Sequence, residues 1–175
     1  MEYRTHCGGR LIVPEKTVQH LAAHPETQEL LSVAAGMIDL PCDGRRLEIE
    51  VDFMRPLGQA TLVPAPQIDS DEETLFSKRL NRKGASRVVV LSPSDVPAIT
   101  TFVIVAKLEE DGAYHLVTAY RGVCAPGEPW SVSPEKLAQS ISYWSCHALV
   151  WDGTTMGATF PSTWTKVIEE ATRKV

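Results

Sequence analysis

Hydrophobic residues recur along this chain with two periods, and the places where the period changes outline its elements. From Arg45 to Met54, Leu47, Ile49, Val51 and Phe53 alternate with Arg46, Glu48, Glu50 and Asp52. A period of two sends one set to each face of a strand, so this segment predicts a half-buried β-strand. Thr100–Leu108 and Tyr114–Tyr120 predict two more strands, and Glu110-Asp111-Gly112 predicts the turn that makes them a hairpin. Arg87–Leu91 reads as an apolar strand and Ala60–Val63 as a short one. Thr74 to Lys83 fits a short helix or an ordered loop.

Elsewhere the spacing is helical. Val18, Leu21 and Ala22 share one face of a helix predicted from Glu15 to His24. Pro14 suits its first turn, and Pro25 stops or kinks it. Leu30, Leu31, Ala34 and Met37 predict a second helix over Glu26–Ile38, so the two form a helical hairpin or one kinked helix. Ser133 and Pro134 offer an N-cap and a first-turn proline for a helix running to about His147. Ser162–Arg173 predicts a last amphipathic helix. Helices, then clustered strands with short turns, then helices predict an α+β chain. The expectation is one domain over 1–175, a mainly antiparallel sheet with an N-terminal helical hairpin and two C-terminal helices.

Composition narrows the classes. The chain is 43% hydrophobic and 22% charged, ordinary for a globular protein. Its net charge of -5 means that any polyanion partner must meet a local basic patch. No apolar leader follows Met1, no run approaches the ~18 apolar residues of a membrane span, and none of the four cysteines forms a CxxC pair. Reduced thiols in a cytoplasmic chain without membrane contact are the expectation. A Gly-rich phosphate loop, a GxSxG elbow and an HExxH helix are missing, which argues against dinucleotide enzymes, P-loop NTPases and zincins. His6-Cys7 and Cys146-His147 supply four potential zinc ligands, but neither pair has the usual spacing, so no metal or cofactor is expected.

Four groupings carry candidate chemistry. Lys78, Arg79, Arg82, Lys83 and Arg87 place five cations in ten residues with no acid between them. They suit phosphate binding, or the C-terminal end of a helix whose N-terminus carries Asp71, Glu72 and Glu73. His20 and His24 stand i, i+4 on one helix face, where imidazoles can trade protons near neutral pH or simply sit at the surface. Thr118 and Tyr120 share a strand face and Arg121 follows, a set that suits an oxyanion or a stacked base, or plain strand packing. His147, at the end of the predicted helix, fits either a catalytic group or a cation capping that helix.

Thr101-Phe102-Val103-Ile104-Val105, a charged turn and Tyr114-His115-Leu116-Val117-Thr118-Ala119-Tyr120-Arg121-Gly122 together resemble the central hairpin of small bacterial RNase toxins, the barnase/EndoU/colicin/RelE-like group. The resemblance covers roughly residues 74 to 125. Arg121 stands where the group often has proline. It implies a metal-independent endoribonuclease that cleaves RNA by attack of the ribose 2′-hydroxyl. His20 or His24 would act as base, Arg82 or Arg121 would hold the phosphate, and Tyr120 would stack or donate. Lys78, Arg79, Lys83, Arg87, Thr118, Trp130, Trp144 and His147 would bind the RNA. The alternative is a non-catalytic module that binds a protein or small ligand. The acidic strand face of Glu48, Glu50 and Asp52 suits a basic partner, and Trp130, Trp144 and Trp151 could line an interface or a pocket. Composition and spacing leave the oligomeric state open.

Overall fold

The computed structural model describes residues 1–22, 25–40, 46–80 and 82–173, apart from the side chains of His20 and Ala22. In chain order the elements are β1 (Glu2–Arg4), β2 (Arg10–Ile12), α1 (Glu15–Ala22), α2 (Pro25–Ala35), β3 (Arg46–Asp52), β4 (Gly58–Gln59), β5 (Leu62–Pro64), β6 (Thr74–Lys78), β7 (Ala85–Val89), β8 (Ala98–Ile99), β9 (Thr101–Leu108), β10 (Tyr114–Arg121), α3 (Pro134–Trp144), β11 (His147–Val150), β12 (Phe160–Ser162) and α4 (Trp164–Arg173). The fold is α+β, with mostly antiparallel sheets.

The periodic segments formed as their patterns predict, with three differences. Two short strands precede the helical pair, so α1 and α2 do not open the chain. The two late helices are interleaved with β11 and β12 rather than adjacent. Thr74–Lys78 is a strand, neither helix nor loop. Phe76 and Ser77 are both fully buried there, so the middle of β6 is covered on both faces and shows no alternation.

The chain groups into two compact units. The first is built from Met1–Gly58 and Ala98–Cys124, the second from Gln59–Pro97 and Ala125–Val175.

The first unit is a five-stranded sheet in the order β1-β2-β10-β9-β3. Phe102, Ile104 and Ala106 of β9 lie fully buried on the face that takes α1 and α2. Leu21, Leu30, Leu31, Ala34 and Ala35 come down from the helices to meet them. Removing a side chain such as Phe102 from water contributes roughly 2–3 kcal/mol, which is why the helices stay on this face. Pro25 is the first residue of α2, where its missing N–H costs nothing, and Glu26 follows at the positive end of the helix dipole.

The second unit is also five-stranded, in the order β12-β6-β7-β11-β5. Within this sheet, among the described residues, only β7 and β11 run parallel. Its core joins Phe76, Val88 and Leu149 of the sheet to Trp144 of α3 and Trp164 and Val167 of α4. Phe76 meets Trp164 edge-on, 4.9 Å between ring centres, an arrangement favoured by the charge distribution of the rings. Ser133 stands at the N-cap of α3 with Pro134 next, as predicted. Its hydroxyl does not cap the backbone and donates instead to Glu135 Oε1 at 2.6 Å.

Candidate functional site

The five clustered cations fall on and beside the β6–β7 hairpin of the second unit, and burial divides them. Arg87 lies mid-strand in β7 and is 2% exposed. Its guanidinium donates to the carbonyls of Ser145 (2.8 Å) and Trp144 (3.2 Å) at the end of α3 and to Pro66 O (2.7 Å). Burial pulls its pKa down. A guanidinium fork that holds three main-chain oxygens in the interior is a structural clamp at the negative end of a helix, not a phosphate ligand. Arg79 is likewise engaged, in contact with the carboxylate of Glu128, which is 5% exposed.

Lys78, Arg82 and Lys83 remain exposed, and none makes an ion pair among the described residues. They surround Leu80, which is 66% exposed at the turn. The turn is braced by the loop 152–157. Gly157 N–H donates to Lys78 O (2.9 Å), Leu80 N–H to Thr155 O (3.0 Å) and Ser77 Oγ to Gly157 O (2.8 Å). Asp152 fixes that loop by accepting from Thr154 N–H and from the hydroxyls of Thr154 and Thr155, and these bonds hold its carboxyl below the usual range. A groove of about 410 Å³ opens beside the turn, lined by Lys78, Gly157, Ala158, Phe160 and Glu170. Lys83 and Glu170 lie together with Lys78 in the adjoining cleft. The arrangement offers exposed cations on a braced turn around an apolar patch, with one carboxylate on the rim.

The tryptophans assigned to substrate are packing groups. Trp144 is buried in the core, with its Nε1–H on Pro126 O at 3.2 Å. Trp130 is half-buried and lies so close over Gly84 that a Cβ there would come within 2.2 Å of the indole. His147 begins β11, and its Nδ1 is 2.8 Å from Tyr143 O in the last turn of α3. A carbonyl only accepts, so Nδ1 carries the proton. The ring stacks flat on Tyr143 at 4.0 Å, the arrangement of a helix-end cap.

The hairpin-end residues sit in the first unit. Val117 is an extra residue in β10: Leu116 pairs with Ala106, but Thr118 pairs with Val105. This bulge resets the alternation. Ala119 therefore packs on the helix side, while Thr118 and Tyr120 face the opposite side of the sheet. The backbone of His20 belongs to α1, on the helix side. His24 lies outside the described residues, as does the side chain of His20. Arg121 projects to the helix side too, where Nη1 donates to Leu57 O (3.1 Å) and Nη2 stands 4.0 Å from Glu26. The sheet thus separates Tyr120 and Thr118 from the helix of His20. Arg82 belongs to the other unit.

His6 and Cys7 fall in the first unit, Cys146 and His147 in the second, and no group of three metal-ligating side chains occurs among the described residues. Cys124 is no nucleophile either. Its N–H is held by Glu50, and burial, then the charges of Glu50 and Glu48, push its thiol up from 9.0 to about 11. At pH 8 Cys124 then carries about a hundredfold less thiolate than an ordinary cysteine. Alkylation by iodoacetamide, followed peptide by peptide in a mass spectrometer, is expected to be slow at Cys124 until the pH nears 11, and faster in Glu50→Gln. Between pH 9 and 11 the folded chain keeps a proton that the unfolded chain loses, so this thiol makes stability fall as pH rises through that window. Labelling of Cys124 at the rate of a free thiol at pH 8 would contradict this placement of a half-buried thiol beside Glu50 and Glu48.

Sequence reasoning missed Leu80, Glu128, Asp152, Phe160 and Glu170. Only Asp152-Gly153-Thr154-Thr155 carried a usable signal, that of an Asx turn. Comparison with protein-family models, with curated proteins and with solved structures finds no match for this chain.

Proposed function

We propose that the chain is a non-catalytic binding module and that the cationic tip of the β6–β7 hairpin meets an acidic, partly apolar segment of a partner protein. One observation carries this reading: Lys78, Arg82 and Lys83 stand exposed without ion pairs among the described residues, around an exposed Leu80 and beside a groove whose wall includes Phe160. Charges arranged this way set encounter and register, while the apolar contacts hold the complex. A protein is favoured over RNA because Leu80 offers no stacking face, and Trp130 and Trp144 are occupied in packing. The same reading keeps the chain in the cytoplasm, where Cys7, Cys124 and Cys146 stay as thiols.

The test uses the whole chain with two fluorescein-labelled probes, a peptide of Glu, Asp and Leu residues and a single-stranded RNA, both in EDTA. The peptide is expected to bind, and K78E/R82E/K83E to weaken it by about tenfold or more with the melting curve unchanged. RNA should emerge intact. Peptide binding that ignores the triple substitution would remove the reading. RNA cleavage abolished by His20→Ala would favour the 2′-hydroxyl mechanism instead.

A further inference from the structure

The first unit carries a different kind of surface. Strand β3 is an edge: β9 lies on one side and no described strand on the other. Two hydrogen bonds identify its spare backbone groups. Phe53 N–H donates to Thr100 O at 2.9 Å, in register with the Asp52–Thr101 pair. Antiparallel bonding alternates, so Leu47, Ile49 and Val51 exchange bonds with β9. Gly122 N–H donates to Thr101 O at 3.0 Å, which gives the odd-numbered residues of β9 to β10 and leaves the even-numbered ones for β3, in agreement. The N–H and C=O groups of Arg46, Glu48, Glu50 and Asp52 therefore point out of the sheet.

Beside this edge runs a groove of about 310 Å³, lined by Met37, Ile38, Asp39, Ile49, Glu50, Val51 and Asp52. Met37 is 52% exposed, and Leu47 and Ile49 are only half-buried. The edge has no proline, and its register with β9 is unbroken over seven pairs, so charge is what guards it. Its charge is selective. Glu48, Glu50 and Asp52 stand on the outer face, Leu47 and Ile49 on the core face.

We propose that the β3 edge takes an extended segment of a second protein as an added strand, with Lys or Arg opposite Glu48 and Glu50 and apolar residues opposite Leu47 and Ile49. Main-chain bonds supply affinity, and the alternation supplies specificity. The carboxylates are already partly engaged, Glu48 with Arg46, Glu50 with Cys124 N–H and Asp52 with Met54 N–H (2.8 Å). Each ionised carboxylate can accept further bonds, so a basic side chain adds to these contacts rather than displacing them. A second copy of this chain is the weaker match for the edge. Antiparallel self-pairing centred on Glu50 sets only carboxylates against one another, pairing centred on Ile49 offsets two Glu48–Glu50 contacts with two Arg46–Asp52 contacts, and pairing centred on Glu48 keeps a Glu48–Glu48 contact between two Arg46–Glu50 pairs, whereas a basic strand meets a carboxylate with a cation at every outer position.

The test uses the whole chain, labelled with ¹⁵N, and the peptide Lys-Val-Lys-Ile-Lys-Val-Lys. Bound peptide is expected to slow amide exchange at Glu48 and Glu50 by about tenfold or more, while Leu47 and Ile49, already bonded to β9, change little. Glu48→Lys keeps the strand backbone and should weaken binding by about tenfold. Glu48→Pro removes an outward N–H without touching the β9 ladder and should do the same. The inference fails if a peptide with the same residues in blocks, lysines then apolar, binds as well. It fails also if protection maps to Lys78–Lys83, if none appears at saturating peptide, or if sedimentation shows β3 pairing with another copy that the peptide cannot displace. The opposite charge of this probe and its separate unit keep the outcome independent of the hairpin-tip reading.

Discussion

Replacing Arg87 by methionine is expected to lower the stability of the second unit by about 3–5 kcal/mol. Methionine nearly matches the volume, so the loss is not a cavity effect. It arises because the carbonyls of Ser145, Trp144 and Pro66 lose their donor in an interior where water does not replace it. Lysine keeps the charge but not the fork, so Arg87→Lys should recover only part of the loss. Denaturant titration followed by tryptophan fluorescence measures this directly, since all four tryptophans, Trp130, Trp144, Trp151 and Trp164, belong to the second unit. A loss under about 1 kcal/mol, the scale of an ordinary surface substitution, would mean that Arg87 is not the clamp described.

Arg79→Ala is expected to cost a similar amount, about 3–5 kcal/mol, by a different route. Glu128 keeps its place and its burial but loses the cation beside it. An uncompensated carboxylate in the interior is far worse than no carboxylate at all. The double variant Arg79→Leu/Glu128→Leu should therefore be much less damaged than Arg79→Ala, and a thermodynamic cycle over the four proteins gives the coupling. Added salt should not rescue the single variant, because screening acts weakly on a buried charge. Additive losses in the cycle would contradict a coupling of half-buried Arg79 to the buried Glu128 carboxylate.

These two arginines show where sequence reading stops. In the chain, Lys78, Arg79, Arg82, Lys83 and Arg87 look alike, and nothing in their spacing tells a clamp from an exposed cation. The distinction depends on which strand is central, a property of the whole sheet. Strand β3 and the β9–β10 hairpin were legible because one apolar face imposes alternation, and α2 because Leu30, Leu31 and Ala34 repeat at helical spacing. Strand β6 was not, because burial on both faces erases the pattern that a half-buried strand leaves. The bulge at Val117 was invisible too. Thr118 and Tyr120 do share a face, as period two requires, but one inserted residue decided which face. The capping alternative for His147 corresponds to its bond with Tyr143 O, because a helix end leaves carbonyls seeking donors whatever the fold.

The chain passes from one unit to the other after Gly58, Pro97 and Cys124, which sets an order on its assembly during synthesis. On the ribosome, β3 emerges long before β9 and β10, the strands that complete its sheet. Strand β3 must wait without its neighbour β9 while β4 to β8 are made. Closure of the first sheet then comes before α3, β11, β12 and α4 exist, so the second unit can finish only at the end of translation. Slowing translation near residue 97 should prolong the interval in which the waiting nascent strand is open to chaperones or to misfolding.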